Sequence, residues 1–270
     1  SLSPEQRMFL RTSARRTWRF FTDFVGTEDN WLPPDNFQEY PTPAIASRTS
    51  PTNISMALLA NLAAYDFGYI CAGEFLRRTG NTLTTMAKLE RYRGHFYNWY
   101  DTRTLQPLQP QYVSSVDSGN LAGGLLTLQA GLAEMKDRPV LSANAFQGLQ
   151  DTLQALTEHL PVSSASDLAK KLKELRDTLR SLTLNGQPKT LSAADHLLNE
   201  IHRLGGGLVA WLPSDPKIGG ELYYWAQAFD QQSRALQDEL QYLGPWYDPK
   251  TDSEAQHDSH MLTLLEMAKT

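Results

Sequence analysis

The segment from His95 to Asp101 holds the residue types most suited to binding a ligand. It reads His-Phe-Tyr-Asn-Trp-Tyr-Asp. Aromatic rings stack on the apolar face of a pyranose, while amides and carboxylates hydrogen-bond to its hydroxyl groups. The segment therefore predicts a sugar site. The alternative is an aromatic strand in the core, with its polar residues capping turns.

Two further polar groups stand at the predicted starts of helices. Asp117-Ser118-Gly119-Asn120 precedes an apolar run, where free backbone N–H groups would point toward one spot. A plain helix cap would need only Asp117 or Ser118. Arg48 and Asn53 flank the entry of a long loop into another helix, and Arg48 suits a carboxylate or a sugar hydroxyl. The alternative is a capped helix start beside a surface arginine.

Acid/base chemistry on a glycosidic bond needs two facing carboxyl groups, about 5–5.5 Å apart for retention and about 6.5–9.5 Å apart for inversion. Asp101 and Asp117 are the best-placed catalytic candidates, because they lie beside aromatic residues. Either is equally suited to bind hydroxyls. The full set of carboxyl candidates is Asp35, Glu39, Glu74, Asp101 and Asp117.

No pattern in the chain indicates a metal or a cofactor. The histidines are scattered, and His196 and His202 are six residues apart, which is not the spacing of a helical zinc pair. The glycine clusters lack the spacing of a phosphate-binding loop. A single cysteine, Cys71, excludes an intramolecular disulfide, and in an apolar helix we expect it to be a core residue.

The composition is that of a globular protein. The chain has 270 residues, of which 41% are hydrophobic and 20% charged, and a net charge of -5. The acidic balance argues against nucleic acid as a partner. No apolar run is long enough to predict a membrane span. A lone thiol fits a reducing compartment.

The spacing of apolar residues and the start and stop signals predict an all-α chain. We expect antiparallel helical hairpins that stay open or close into an α/α toroid, in one domain over residues 1–270 with a sub-boundary near 205–220. Residues 27–51, rich in proline, form a long functional loop. Predicted helices cover about 4–25, 51–67, 69–90, 142–159, 164–184, 190–204 and 219–242. A further helix follows the polar group at 117–120 and includes the leucines at 121–128, and a last one starts near His257.

Four strings in order resemble the central region of bacterial cyclic β-1,2-glucan synthases. They are residues 31–39 (WLPPDNFQE), 48–54 (RTSPTNI), 94–102 (GHFYNWYDT) and 116–123 (VDSGNLAG). The resemblance covers about residues 31–123. The helix with Tyr223, Tyr224 and Trp225 is compatible with it.

The resemblance implies a part of a large membrane-associated enzyme at the cytoplasmic face of the bacterial inner membrane. Such enzymes combine a glycosyltransferase part, a glucoamylase-like (α/α)6 barrel that acts on β-1,2-glucan by transglycosylation, and a phosphorylase-like part. The strings that carry the family's catalytic glutamates, of Ser-Met-Phe-Glu-Tyr and Ser-Glu-Ser-Gly-Tyr type, do not occur here. We therefore expect the N-terminal half of the barrel domain, incomplete and inactive alone.

This reading makes Asp101 and Asp117 binding residues by preference. It predicts β-1,2-glucan and the remaining domains of the parent polypeptide as partners, and a homodimer through exposed apolar surface. We expect the rings of Tyr97, Trp99 and Tyr100 to stack on glucose. Hydroxyl groups of the glucan should bond to Asn98, Asp101, Asp117 and Asn120, and the 27–51 loop should be braced by Arg48 and Asn53.

The alternative is a structural or interaction module that packs against neighbouring domains without a ligand of its own. The exposure of Trp99 separates the two readings. A buried ring favours the module, and a ring on an open surface favours the glucan site.

Overall fold

The structure is a computed structural model that describes residues 2–160, 167–185, 188, 191–210, 212, 216–243 and 263–267. Within these ranges the chain is mainly helical, so the predicted all-α class is confirmed. The helices are α1 (Pro4–Phe24), α2 (Pro51–Phe67), α3 (Ala72–Lys88), α4 (Ser115–Met135), α5 (Ala143–Thr157), α6 (Asp167–Asn185), α7 (Leu191–Ala210), α8 (Pro216–Leu243) and α9 (Leu264–Met267).

Short strands and one turn of 3₁₀ helix (Thr27–Asp29) lie between the helices. The strands are β1 (Phe37–Gln38), β2 (Ala44–Ile45), β3 (Arg48–Thr49), β4 (Arg91–Tyr92), β5 (His95–Phe96) and β6 (Tyr100–Asp101). They form three antiparallel pairs, β1 with β2, β3 with β6, and β4 with β5. Residues 27–50 contain no α-helix, as the prolines of the long loop predict, and α2 begins at Pro51.

Serine caps start two helices where the sequence predicts them. The Ser3 hydroxyl accepts from the Gln6 N–H at 3.2 Å while the Gln6 side chain accepts from the Ser3 N–H, which is a capping box. The Ser50 hydroxyl accepts from the Asn53 N–H at 3.2 Å and caps α2.

The predicted end of α7 and the predicted start of α8 are wrong. Helix α7 continues through Gly205-Gly206-Gly207 to Ala210 instead of ending at residue 204, because the Phe229 ring packs closely against Gly205, where a side chain would collide with it. Helix α8 begins at Pro216, ahead of the predicted glycines, because proline suits the first position of a helix.

The described chain divides into two compact units. Unit 1 comprises Ser1–Arg16, Tyr65–Ala72 and Met135–Thr270, and unit 2 comprises Thr17–Ala64 and Gly73–Glu134. The one-domain organisation and the sub-boundary near residues 205–220 stay predictions. The predicted start of the last helix, near His257, lies outside the described residues, and so does His260.

In unit 1, helices α5, α6, α7 and α8 pack in a ring, each against two of the others. Their core contains Phe146, Leu175, Trp225 and Phe229, all at most 2% exposed. Cys71 is buried in the same core, as predicted. Gly68 ends α2 with a φ of 77°.

A buried polar network joins the segments of unit 1. Arg11 pairs with Asp151 at 2.8 Å, and Arg15 Nε donates to the Thr152 hydroxyl at 2.7 Å. The Thr152 hydroxyl donates to Gln232, whose amide donates to the Gly68 carbonyl at 2.7 Å. Burial raises the pKa of Asp151, and the Arg11 partner opposes that shift. The network fixes α1 and the 65–72 segment to α5 and α8.

In unit 2, buried Arg78 holds the end of α1. Its Nη2 donates to the carbonyls of Phe21 and Val25, and its Nε to Asn61. Helices α2 and α4 approach closely, because a Cβ at Gly124 would lie 1.9 Å from Ser55 Oγ and one at Gly131 would lie 2.6 Å from Leu62 Cδ1. This close packing positions the N-termini of both helices.

None of the described helices is both long and apolar enough to cross a membrane.

Candidate functional site

The strand pair β3–β6 brings the long loop beside the aromatic segment. Arg48 lies opposite Asp101 in the ladder, and Thr49 opposite Tyr100. Helix α2 starts immediately after β3, and the N-terminus of α4 lies next to it. Most of the predicted site residues thus meet in unit 2, at two helix starts and one short ladder.

The Asn98 side chain is the centre of the polar contacts. Asn98 is 6% exposed, and its backbone N–H donates to the Tyr112 carbonyl at 2.8 Å. With its amide turned so that Nδ2 faces Asp117, Nδ2 donates to Asp117 Oδ2 at 2.8 Å, and Oδ1 accepts from Trp99 Nε1 and from the Tyr112 hydroxyl, each at 2.8 Å. These partners assign the orientation of the amide.

Asp117 joins the two helix N-termini. Its other oxygen, Oδ1, accepts from the Thr52 hydroxyl at 2.6 Å, and the Asn120 amide donates to the same hydroxyl at 3.0 Å. Desolvation would raise the pKa of Asp117, but hydrogen bonds from Ser114 and Thr52 outweigh it and lower that pKa. Asp117 is therefore a charged acceptor, which is a poor state for a general acid.

The prediction that Asp117 or Ser118 caps α4 is wrong. The cap is Ser114, whose hydroxyl accepts from the Asp117 N–H at 3.1 Å, and the helix begins at Ser115. Because Ser114 satisfies that N–H, the Asp117 carboxylate is available for Thr52 and Asn98. The sequence signal was present, since Ser114 and Asp117 have capping-box spacing.

Arg48 and Asn53 both bind Asp35 in the long loop. Arg48 donates to Asp35 Oδ2 through Nε at 3.1 Å and Nη2 at 2.9 Å, and Asn53 Nδ2 lies 3.3 Å from Asp35 Oδ1. The Arg48 guanidinium also lies over the half-buried Trp99 ring, 4.8 Å from its centre. Through Asp35, which the sequence offered only as a carboxyl candidate, these contacts join the long loop to Arg48 and to the first turn of α2.

Tyr100 does not suit its predicted role in sugar stacking. Its side chain is 0% exposed, so its ring is part of the core. Its hydroxyl donates to the Glu90 carbonyl at 2.7 Å and accepts from the Tyr97 N–H at 2.7 Å. Burial raises the pKa of Tyr100 to about 12. Tyr97 is half-buried, with its ring edge-on to Tyr100.

Asp101 is engaged by its own turn. One carboxylate oxygen accepts from the backbone N–H groups of Thr104 at 2.7 Å and Arg103 at 2.9 Å. Hydrogen bonds from the N–H groups of Thr104 and, to a smaller extent, Arg103 lower the pKa of Asp101, although desolvation by itself would raise that pKa. A carboxylate held in this way caps the turn, and only its second oxygen is left for hydroxyl binding.

Three members of this cluster were not predicted as site residues from the sequence, and these are Thr52, Tyr112 and Ser114. Thr52 and Ser114 carry helix-start signals, but spacing does not show that the two starts converge. Tyr112 follows a proline-rich turn and had no pattern to mark it. Together with the predicted residues, these side chains form a surface of hydrogen-bond donors and acceptors beside one half-buried indole. In the parts of the chain that the structure describes, no three His, Cys, Asp or Glu residues are grouped to hold a metal ion.

Comparison with known proteins supports one of the expectations. The chain is 45% identical over 168 residues to the cyclic β-(1,2)-glucan synthase NdvB of Rhizobium meliloti (strain 1021). The resemblance to cyclic β-1,2-glucan synthases is confirmed. The match covers 62% of this chain and only 6% of that relative, so the chain corresponds to a small part of a much longer protein.

No protein-family model matches the chain. Among solved structures, a protein described as a glucoamylase from Bacteroides fragilis NCTC 9343 matches with a TM-score of 0.33 and 21% identity. The match covers 66% of this chain and 36% of that one.

Proposed function

We propose that this chain is the glucan-binding part of a carbohydrate-processing domain that acts on β-1,2-glucan in a cyclic β-1,2-glucan synthase. In this proposal its helices form part of an (α/α)6-type toroid and work with the remaining domains of a larger polypeptide. In this proposal the chain by itself binds glucan without cleaving it, because the strings that carry the family's catalytic glutamates do not occur in it.

The observation that carries the proposal is the network around Asn98. Asn98 Oδ1 accepts from the Trp99 indole N–H, Asn98 Nδ2 donates to Asp117, and Asp117 accepts from the half-buried Thr52. Sugar sites combine an aromatic wall with a few fixed polar groups. Trp99 and Tyr97 supply the aromatic faces in this proposal. The polar groups for hydroxyls come from Asn98, Asp117, Asn120, Thr52 and Arg48.

One observation favours the structural module instead. Tyr100 is wholly buried and Asp101 caps a turn, so two members of the aromatic segment serve the fold. Trp99 differs from them, since it is only half-buried. If the chain is a module without a ligand, substitutions on the exposed side of the cluster will not change the binding of any sugar.

Tryptophan fluorescence during titration with linear β-1,2-glucooligosaccharides tests the proposal. We expect saturable binding, weaker or absent with β-1,3- and β-1,4-linked oligomers, and unchanged sugar after incubation. Asn98→Ala should abolish binding. Gln129→Ala, which removes an exposed amide on α4, is the matched control. No binding to the β-1,2-linked oligomers would contradict the proposal. If the Asn98→Ala protein, with its fold checked by circular dichroism, binds as well as the parent protein, the glucan site lies elsewhere in the chain.

A further inference from the structure

A groove of about 340 Å³ lies between α7 and α8 in unit 1. Its residues belong to none of the contacts of the candidate site. It is lined by Gly206 and Val209 from α7 and by Gln227, Asp230, Gln231 and Arg234 from α8.

Asp230, on the α8 wall of the groove, has one oxygen paired with Arg234 and one buried beside His202. Asp230 Oδ2 accepts from Arg234 Nε at 3.0 Å. Asp230 Oδ1 lies 3.5 Å from His202 Nδ1, and within the described chain neither of these two buried atoms has a hydrogen-bond partner. Because buried polar atoms in folded proteins are nearly always hydrogen-bonded, such a pair calls for an explanation.

The opposite wall is open because it lacks a side chain. A Cβ at Gly206 would lie 3.5 Å from Asp230 Oδ1 and 3.9 Å from His202 Cε1. Any longer side chain at this position would project over the pair and into the groove. Gly206 and Asp230 thus line the groove from the two helices, with Asp230 Oδ1 buried behind the surface of the groove.

The lining has little net charge. Asp230 and Arg234 are paired, and the exposed Gln227 and Gln231 contribute neutral amides. This balance does not select an ionic ligand. It suits a ligand with many hydroxyl groups, since amides both donate to and accept from hydroxyls.

An aromatic ring continues the same face of α8. Tyr223 is 46% exposed and lies one helical turn before Gln227. From Tyr223 to Arg234 the face extends over about 16 Å, at about 1.5 Å per residue. A ring followed by two amides and a carboxylate along this length matches a short oligosaccharide rather than a single sugar.

We infer that the α7–α8 groove is a second glycan-binding site, in which Gln227, Gln231 and Asp230 bond to hydroxyls and Tyr223 stacks on a sugar ring. The assignment of the sugar as β-1,2-linked glucan rests on the proposed function.

Isothermal titration calorimetry of the full chain with a linear β-1,2-glucooligosaccharide tests the groove. We expect two binding events in the parent protein and one in the double variant Gln227→Ala/Gln231→Ala. Tyr223→Ala should weaken the same event at least fivefold. Gln129→Ala is again the matched control and should retain both events. These residues are exposed, so the variants should fold, which circular dichroism verifies.

The possible results separate the two proposals. If the double variant keeps both events, or if the parent protein shows one event that only Asn98→Ala removes, the groove is not a glycan site and the proposed function stands. If the double variant loses the only event and Asn98→Ala changes nothing, the groove stands and the candidate site in unit 2 falls. Absence of heat with every linkage overturns both.

Discussion

The guanidinium of Arg48 lies 4.8 Å from the centre of the Trp99 ring while Asp35 holds it from the side. Planar guanidinium groups stack on aromatic rings and at the same time bind carboxylates in a fixed geometry. One face of Trp99 is therefore covered by a cation that is itself half exposed, with 51% of the Arg48 side chain accessible. In the proposed glucan site this indole and guanidinium would form one composite surface for a sugar, with Asp35 as the residue that positions Arg48.

Asp35→Asn should lower the affinity of the chain for β-1,2-glucooligosaccharides by about fivefold, because an exposed ion pair is worth about 1 kcal/mol. Arg48→Lys should have a similar effect, since lysine neither stacks as a plane nor binds with two donors. In a double-mutant cycle measured by calorimetry, the two changes should be less than additive, because both break one unit.

The matched control for this pair is Arg91→Lys. Arg91 lies over the Phe96 ring at 4.4 Å, in the hairpin of β4 and β5, and is not part of the candidate site. Its substitution should leave sugar affinity unchanged. Strict additivity of Asp35→Asn and Arg48→Lys would show that Asp35 does not act through Arg48.

The sequence predicted the helices better than it predicted which parts of them come into contact. Proline and serine signals located the starts of α1 and α2 within a residue, since capping depends on local chemistry. The start of α4, at Ser115, was predicted several residues too late because Asp117 and Ser118 also look like caps. Glycines were misleading in α7, where they allow a ring to approach closely and do not end the helix.

The candidate site was predictable as a list and not as a geometry. Asn98, Trp99, Asp117 and Arg48 were all chosen for their chemistry, and the structure brings them together. Tyr100 has a side chain of a type that can stack on a sugar ring, but its burial depends on contacts with Glu90 and Tyr97 that no local pattern reveals. The role of Asp35 depends on the fold of a long loop, which has no periodicity to read.

Tyr100→Phe should destabilise the protein by about 1–2 kcal/mol in chemical denaturation, because it leaves the Glu90 carbonyl and the Tyr97 N–H without their partner. The apolar packing of the ring is retained. Tyr97→Phe, at a half-buried neighbour, is the control and should cost less. A fully stable Tyr100→Phe protein would contradict the placement of this hydroxyl in the core.

The lowered pKa of Asp117 predicts a pH-dependent contribution to stability. A carboxyl group with a lower pKa in the folded state stabilises the fold fully above its unfolded pKa of about 3.9 and loses that contribution as the pH falls through the folded value. Asp117→Asn should therefore reduce the midpoint of urea denaturation at pH 7. The difference from the parent protein should shrink below about pH 4.

The exposed Asp137, whose side chain is 61% accessible, provides the control as Asp137→Asn. Its difference from the parent protein should be small at every pH. If the Asp117→Asn deficit were as large at pH 3 as at pH 7, the hydrogen bonds from Thr52 and Ser114 would not favour the charged form.

Gly68 offers the sharpest test of unit 1, because two separate costs apply to a side chain there. Its φ of 77° is unfavourable for any other residue, by about 1–2 kcal/mol for alanine. In addition, a Cβ would lie 1.9 Å from the backbone oxygen of Asn144, and backbone does not rotate away. Gly94 has a φ of 89° and no atom within 4 Å of an added Cβ, so Gly94→Ala measures the first cost alone. Gly68→Ala should cost more than about 3 kcal/mol in urea denaturation, or prevent folding, because overpacking adds to the dihedral strain. Equal losses for the two variants would mean that the 65–72 segment does not pack against the start of α5.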